Sequence, residues 1–154
     1  MRVDVARLRP EGEHYSGEEP AAILELEDHD DIRAEAPVHY DFIAQVVSGK
    51  LLARGALGVT IGFTCSRCAA PFRAQVTEPR FEAFLDVPDP TQPVDLTGEI
   101  REAIILRFPN HPVCEAECRG LCPRCGANLN RGPCKCPPRP RDDRWRELEE
   151  LKLE

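Results

Sequence analysis

The fold class is decided by residues 38–63, which read VHYDFIAQVVSGKLLARGALGVTIGF. Apolar side chains alternate along the first half, where Tyr40, Phe42 and Val46 share one face. Gly49 then marks a turn, because glycine adopts a positive φ at little cost. The stretch therefore predicts an antiparallel β-hairpin. The same alternation returns in the second half at Leu57, Val59, Ile61 and Phe63.

The flanking segments extend this hairpin into an α+β body. Alternating apolar residues predict extended chain over residues 1–8 and 72–85, and the run at 23–26 predicts a short strand. Residues 10–20 are polar and predict a loop. Asp95 is placed to cap a helix over residues 95–108, which Pro109 ends. Its predicted apolar face, packed on the sheet, includes Leu96, Ile100, Ala103 and Ile104.

Three regions follow from this pattern. We expect residues 1–109 to form an antiparallel β-rich body with one packed helix, residues 110–140 a small Cys-rich module, and residues 141–154 a short amphipathic C-terminal helix. Aliphatic residues become rare after residue 110, so the module cannot fold by burying apolar surface and needs another source of order.

The chain has 154 residues and a net charge of −7, unevenly distributed. Residues 1–100 carry 9 Lys and Arg against 18 Asp and Glu, residues 101–146 carry 10 against 5, and the last eight carry 1 against 4. The overall charge argues against generic nucleic-acid binding, whereas the basic region could contact phosphates. Arginines that serve solubility and ion pairing explain that region equally well.

The eight cysteines predict metal binding. The chain has neither a secretory signal nor about 20 consecutive apolar residues, so we expect a cytoplasmic protein with reduced thiols and no membrane partner. The cysteines come in close pairs, and a Cys-x-x-Cys turn directs two sulfurs at one ion. Two structural zinc ions are predicted, the first held by Cys65, Cys68, Cys114 and Cys118 and the second by Cys122, Cys125, Cys134 and Cys136.

Several alternatives remain open at this point. Cys118 lies close enough to Cys122 in the chain to exchange roles with it, and His111 is an alternative ligand for the first ion. Iron also suits a Cys-Pro-x-Cys-Gly turn, but the Cys134-Lys135-Cys136 pair favours zinc. Free or disulfide-bonded cysteines are the remaining possibility, which the paired spacing disfavours.

Enzymatic constellations are absent from the sequence. It contains no glycine-rich phosphate loop and no nucleophile elbow, and its four histidines have no metalloprotease spacing. We therefore expect a protein that is not an enzyme, with no catalytic residues and no small-molecule substrate.

Ordered motifs around the cysteines resemble those of the bacterial YceD family. Cys65-Ser66-Arg67-Cys68-Ala69-Ala70-Pro71-Phe72 is similar to the family signature Cys-x-Arg-Cys-x-x-Pro-Phe. Residues 119–130, RGLCPRCGANLN, are similar to its cysteine-rich tail, and the resemblance extends over roughly residues 50–151. It implies a large ribosomal RNA subunit accumulation protein, with a role in 23S rRNA accumulation and ribosome assembly.

The implied partners are 23S rRNA or a large-subunit assembly particle, and a ribosomal protein for the acidic body. Two rival functions remain: a protein–protein adaptor shaped by structural zinc, and a thiol redox or metal-handling protein using Cys134 and Cys136. Asn128 and Asn130 are expected to stabilise a turn rather than to contact bases. The predicted RNA-binding residues are Arg119, Arg124, Arg131, Lys135, Arg139 and Arg141.

Overall fold

A computed structural model describes residues 1–27 and 29–137. It confirms the α+β class, with a largely antiparallel sheet, one packed helix and a Cys-rich segment after it. The helix α1 spans Thr97–Ile105, and single 3-10 turns cover Val5–Arg7 and Ala21–Leu24. The strands are β1 Arg2–Val3, β2 Glu13–Glu19, β3 Ile32–Ala34, β4 Val38–Val47, β5 Lys50–Thr64, β6 Pro71–Asp86 and β7 Val94–Asp95.

Strand β5 is the centre of a five-stranded sheet. It forms the predicted hairpin with β4, in which Val47 pairs with Lys50 across the turn. It also pairs with β6 along its length, from Lys50 to Thr64. Strand β6 occupies one edge of β5. The opposite edge is shared by β4 and the short strand β3, which pairs with Ile61–Phe63 beyond the end of β4. Strand β2 adds to the outer edge of β4.

A bulge changes which face of β6 is buried. Gly55 pairs with Phe81 but Leu57 pairs with Glu78, so two residues of β6 oppose one of β5. Pro79 lies in this bulge, where a missing backbone N–H does not interrupt the ladder. The bulge lets both Glu78 and Phe81 point into the protein, and both are buried.

The core lies between the sheet and α1. Ile100 and Ile104 of the helix are fully buried against the sheet, and Phe108 packs edge-on against Phe63 of β5 at a centroid distance of 5.6 Å. The amino terminus closes the same layer, because the Met1 ammonium donates to Thr97 Oγ1 at 2.8 Å. No helix in the described part of the chain is long and apolar enough to cross a bilayer.

The segment 10–20, predicted as a loop, contains a strand. Each residue of β2 pairs with β4, from Glu13 opposite Ala44 to Glu19 opposite Val38. The strand is polar because it lies at the sheet edge, and Tyr40 covers its glycine. A Cβ on Gly17 would lie 2.8 Å from Tyr40 Oη, so a larger residue here would require the Tyr40 side chain to move.

Three other boundaries also differ from the prediction. The run 23–26 is not a strand, because Ile23 and Leu24 end a 3-10 turn and Glu25 and Leu26 follow it, and only Arg2–Val3 forms a strand within residues 1–8. The helix begins at Thr97 and ends at Ile105, inside the predicted range of 95–108. Asp95 belongs to β7, although its carboxylate still accepts from the Thr97 N–H at 2.9 Å. The predicted C-terminal helix, 141–154, lies outside the described residues.

Candidate metal centres

Two cysteine turns with the same backbone geometry form the base of the candidate site. Residues 65–70 connect β5 to β6, and residues 122–127 lie in the Cys-rich segment. In each turn, the first cysteine carbonyl accepts from the N–H that follows the second cysteine, at 2.9 Å in both. That following residue, Ala69 or Gly126, has a positive φ of 53° or 70°. Both turns therefore aim two sulfurs in one direction.

The first cluster brings Cys65, Cys68, Cys114 and Cys118 together, with their sulfurs within 4.8 Å of one another. Both the Cys65–Cys118 and the Cys68–Cys114 sulfur pairs are 3.8 Å apart. Four sulfurs about 2.3 Å from one tetrahedral zinc ion lie about 3.8 Å from each other, whereas a disulfide needs about 2.05 Å. The spacing fits four thiolates around one ion, and three of these cysteines are buried.

Arg67 ties the first cluster to the segment after the helix. Its guanidinium donates to the carbonyls of Ala116 at 3.0 Å and Cys118 at 3.1 Å. Its own carbonyl accepts from the Leu121 N–H at 3.0 Å. The neighbouring Ser66 N–H donates to the Pro112 carbonyl at 2.8 Å, so the turn of the sheet and the distant cysteine segment form one unit.

The pKa values of the thiols in the first cluster are shifted in opposite directions. Burial raises the pKa of Cys65, but backbone N–H groups of Cys114, Cys68 and Arg67 outweigh it and hold the pKa at about 6. The Asn130 side chain, as the largest influence, lowers the pKa of Cys118. Burial and the neighbouring sulfurs raise the pKa of Cys114 to about 12. A divalent cation bound by the four sulfurs would displace the protons of the thiols whose pKa is raised.

The second cluster is similar but more exposed. The sulfurs of Cys122, Cys125, Cys134 and Cys136 lie within 4.8 Å of one another, and Cys122 and Cys134 are 3.4 Å apart. Cys125 is exposed, and Cys134 and Cys136 are half-buried. The backbone N–H of Arg124 leads the groups that lower the pKa of Cys122 to about 6. Hydrogen bonding with Cys125 leads those that raise the pKa of Cys136 to about 12.

Asn130 joins the two clusters. Its Nδ2 donates to Cys118 Sγ at 3.2 Å, while its Oδ1 accepts from the Arg119 N–H at 2.7 Å. Asn128 Oδ1 accepts from the Asn130 N–H at 2.9 Å, as the predicted turn role of Asn128 requires, whereas the Asn130 side chain bonds to the distant residues Cys118 and Arg119. Neither the contact of Asn130 with the sulfur nor the anchoring by Arg67 was found from the sequence, because both depend on how distant segments meet.

The structure groups the eight cysteines as the sequence predicts and leaves His111 outside both clusters. The exchange of Cys118 with Cys122 is not seen, since Cys118 lies in the first cluster. Arg139 and Arg141 lie outside the described residues. The other four predicted RNA-binding residues are exposed on the Cys-rich segment: Arg119, Arg124, Arg131 and Lys135.

The chemistry of these donors fits zinc. Thiolates are soft ligands that suit Zn²⁺ and exclude Mg²⁺ and Ca²⁺ as natural occupants. Four cysteines leave no coordination position for water, which is typical of a structural ion. Hydrogen bonds to the sulfurs from the Cys114 N–H and Asn130 Nδ2 supply the outer contacts that such sites use. The identity of the metal stays a prediction.

Comparison with known proteins assigns the family. A family model described as "Large ribosomal RNA subunit accumulation protein YceD" matches residues 75–152. An uncharacterized protein of Mycobacterium tuberculosis is 30% identical over 160 residues, which cover 86% of this chain and 72% of the relative. The chain belongs to the YceD family.

Plant relatives of the YceD family share a shorter segment with the chain. The chloroplastic large ribosomal RNA subunit accumulation protein YCED homolog 1 of Arabidopsis thaliana is 34% identical over 56 residues, 36% of this chain and 17% of that protein. The homolog of Zea mays is 41% identical over 56 residues, 36% of this chain and 19% of that protein. No solved structure matches the chain significantly.

Proposed function

We propose that this protein is a zinc-binding, non-enzymatic factor of ribosome assembly that supports 23S rRNA accumulation in the cytoplasm. It acts by binding rRNA or a large-subunit assembly particle. The observation that carries the proposal is the pair of four-cysteine clusters on a basic segment of a YceD-family chain. The description of the family and the names of its plant members supply the ribosomal RNA context.

Zinc would serve this function by ordering the Cys-rich segment. The buried cysteines there are Cys118 and Cys122, and the segment from residue 110 to 137 contributes no aliphatic side chain to the main core. A segment with so little buried apolar surface gains its folding free energy from the ion. The eight cysteines would hold two ions, and each ion would supply rigidity rather than a reaction.

The charges on the two regions support RNA binding by the Cys-rich segment. In the body, several surface cations are neutralised across strands, as Arg54 is by Glu82 at 2.7 Å and Lys50 by Asp86 at 2.8 Å. Among the described residues, none of the four exposed cations of the Cys-rich segment forms an ion pair with an acidic side chain. Unpaired guanidinium groups on a rigid scaffold suit phosphates and stacked bases.

Ultraviolet crosslinking in cells, followed by sequencing of the RNA bound to the purified protein, tests this proposal. Discrete 23S segments should be enriched in the wild-type chain and reduced when Arg119, Arg124 and Arg131 are changed to alanine. If bound RNA stays at the background level and ribosomal proteins still co-purify after RNase treatment, direct RNA binding is overturned and the adaptor function is favoured. In that case, the next residues to substitute would be two exposed apolar residues on the outer sheet face, Ile43 and Phe84, which could contact a partner protein.

A further inference from the structure

One side chain of the second cluster's loop contacts a ligand of the first cluster. Asn130 lies between Cys125 and Cys134, in the loop that closes the second group of sulfurs. Its amide nitrogen nevertheless lies 3.2 Å from the sulfur of Cys118, a member of the first group. The loop between Cys125 and Cys134 thus makes a contact with the first cluster that plays no part in bringing the sulfurs of the second cluster together.

The orientation of the Asn130 amide is fixed by a second hydrogen bond. Its oxygen accepts from the Arg119 N–H at 2.7 Å, which an amide nitrogen could not do. The amide nitrogen therefore faces the sulfur and can donate one of its two N–H groups to it. An N–H aimed at a thiolate forms a charge-assisted hydrogen bond, which is stronger than one between neutral groups.

The connection between the clusters is short and closely packed. Three residues separate Cys118 from Cys122, and the middle one, Gly120, is buried. Its carbonyl accepts from the Leu129 N–H at 2.9 Å, so the loop that carries Asn130 also bonds to the connection itself. A Cβ on Gly120 would lie 2.9 Å from the Arg67 carbonyl oxygen. The Leu121 N–H donates in turn to the Arg67 carbonyl at 3.0 Å, so the loop of the second cluster and the turn of the first cluster are linked through the connection between them.

We propose that Asn130 is a positioning residue through which the two metal sites are energetically coupled. Closure of the second cluster orders the loop, and the ordered loop places the Asn130 N–H on the Cys118 thiolate, which strengthens the first site. By linkage, metal at the first site strengthens the second by the same factor. The inference rests on the metal binding in the proposed function and adds dependence between the sites to it.

A double-mutant cycle on the full chain measures this coupling. The zinc affinity of the first site is obtained by chelator competition in the wild-type chain, in Asn130→Ala, in Cys134→Ser/Cys136→Ser and in the combined variant. Each change alone should weaken the first site about 10- to 100-fold, as loss of an outer hydrogen bond does in other metal sites. The combined variant should be no weaker than the weaker parent, because both changes remove the same contact.

A cobalt spectrum separates a contact with the sulfur from a general loss of structure. Asn130→Asp keeps the oxygen that the Arg119 N–H needs but has no N–H to donate, so it preserves the turn. With Co²⁺ in place of Zn²⁺, this variant should move the thiolate-to-metal absorption band of the first site to longer wavelength. Ala127→Ser, a change at an exposed residue in the loop of the second cluster, should leave the band in place.

The outcomes separate this inference from the proposed function. A wild-type chain that binds no metal overturns both. Two bound ions with additive losses in the cycle, or an unchanged cobalt band in Asn130→Asp, overturn the coupling and leave the proposed function standing.

Discussion

Ala69 and Gly126 occupy the same position in two equivalent cysteine turns, at φ values of +53° and +70°. Glycine adopts this left-handed conformation freely, whereas an L-residue with a Cβ pays roughly 1–2 kcal/mol for it. The first turn therefore holds backbone strain that the second avoids. The hydrogen bonds inside the two turns match, with the first cysteine carbonyl accepting at 2.9 Å in both, so the strain is local to this position.

Replacing Ala69 with glycine should stabilise the protein. The relief of left-handed strain exceeds the added flexibility of the unfolded chain, for an expected net gain of about 0.5–1 kcal/mol. Chemical denaturation at a fixed free zinc concentration measures it. Ala70→Gly is the matched control and should destabilise the chain, since Ala70 packs against the first cluster at no positive φ. An equal loss of unfolding free energy in Ala69→Gly and Ala70→Gly would show that Ala69 is not strained.

Gly120→Ala should be much more harmful than Gly126→Ala. Both glycines have a positive φ, of 73° and 70°, but only at Gly120 would a Cβ meet another atom, the Arg67 carbonyl oxygen at 2.9 Å. Gly126→Ala should cost about 1–2 kcal/mol of unfolding free energy. Gly120→Ala adds a clash with backbone, so we expect a larger loss together with weaker zinc retention under chelator challenge. Similar losses in the two variants would show that the turns do not pack as described.

The buried carboxylate of Glu78 should make stability depend on pH. Glu78 accepts from Arg107 Nε and, at 2.8 Å, from the Arg80 N–H, and it links β6 to the chain beyond α1. The hydrogen bond from Arg107, as the largest influence, holds the pKa of Glu78 below its usual value against the effect of burial. A lowered folded pKa gives stability that is present above the unfolded pKa of about 4.3 and lost as pH falls through the folded value.

Glu78→Gln should therefore reduce the unfolding free energy at pH 7 by about 1–3 kcal/mol. The difference between the variant and the wild-type chain should shrink as pH falls below about 4, as measured by denaturation across the range. Glu82→Gln removes an exposed partner of Arg54 and serves as the control, with an expected loss of at most about 1 kcal/mol. If the difference in unfolding free energy between Glu78→Gln and the wild-type chain did not change with pH, the stabilisation could not come from the ionised Glu78 carboxylate.

RNA binding should lose salt dependence when the cations of the Cys-rich segment are removed. Changing Arg119, Arg124 and Arg131 together to alanine should reduce the slope of log affinity against log salt by about two to three units, because each phosphate contact releases roughly one counterion. Binding to a 23S fragment is titrated at several salt concentrations. The control removes three exposed arginines of the body, Arg7, Arg9 and Arg33, and should leave the slope nearly unchanged. Equal slopes for both triple variants would place the RNA surface elsewhere.

The sequence predicted those parts of the fold in which local pattern and tertiary packing agree. The β4–β5 hairpin alternates clearly because one face is buried in the core, as Val59 and Ile61 are. Strand β2 has no such alternation, since it lies at the edge and its glycine is covered by Tyr40 from the neighbouring strand. The run around Ile23 is too short for periodicity to separate a strand from a 3-10 turn.

The cysteine groups were predictable because the pairs are close in the chain and a Cys-x-x-Cys turn directs two sulfurs at one ion. The groups that support them were not predictable in the same way. Arg67 contacts carbonyls about 50 residues away, and Asn130 contacts a sulfur of the other cluster. Spacing identifies ligands, whereas the contacts that orient ligands depend on the packing of separate segments.

Native mass spectrometry of the zinc-replete full chain counts the metal ions that the eight cysteines hold. We expect two zinc ions per chain. Cys65→Ser/Cys68→Ser should leave at most one ion, at the second cluster, and Cys134→Ser/Cys136→Ser should leave one, at the first. A wild-type chain that binds no metal, or cluster variants that retain both ions, would contradict the assignment of these eight cysteines as two structural zinc sites.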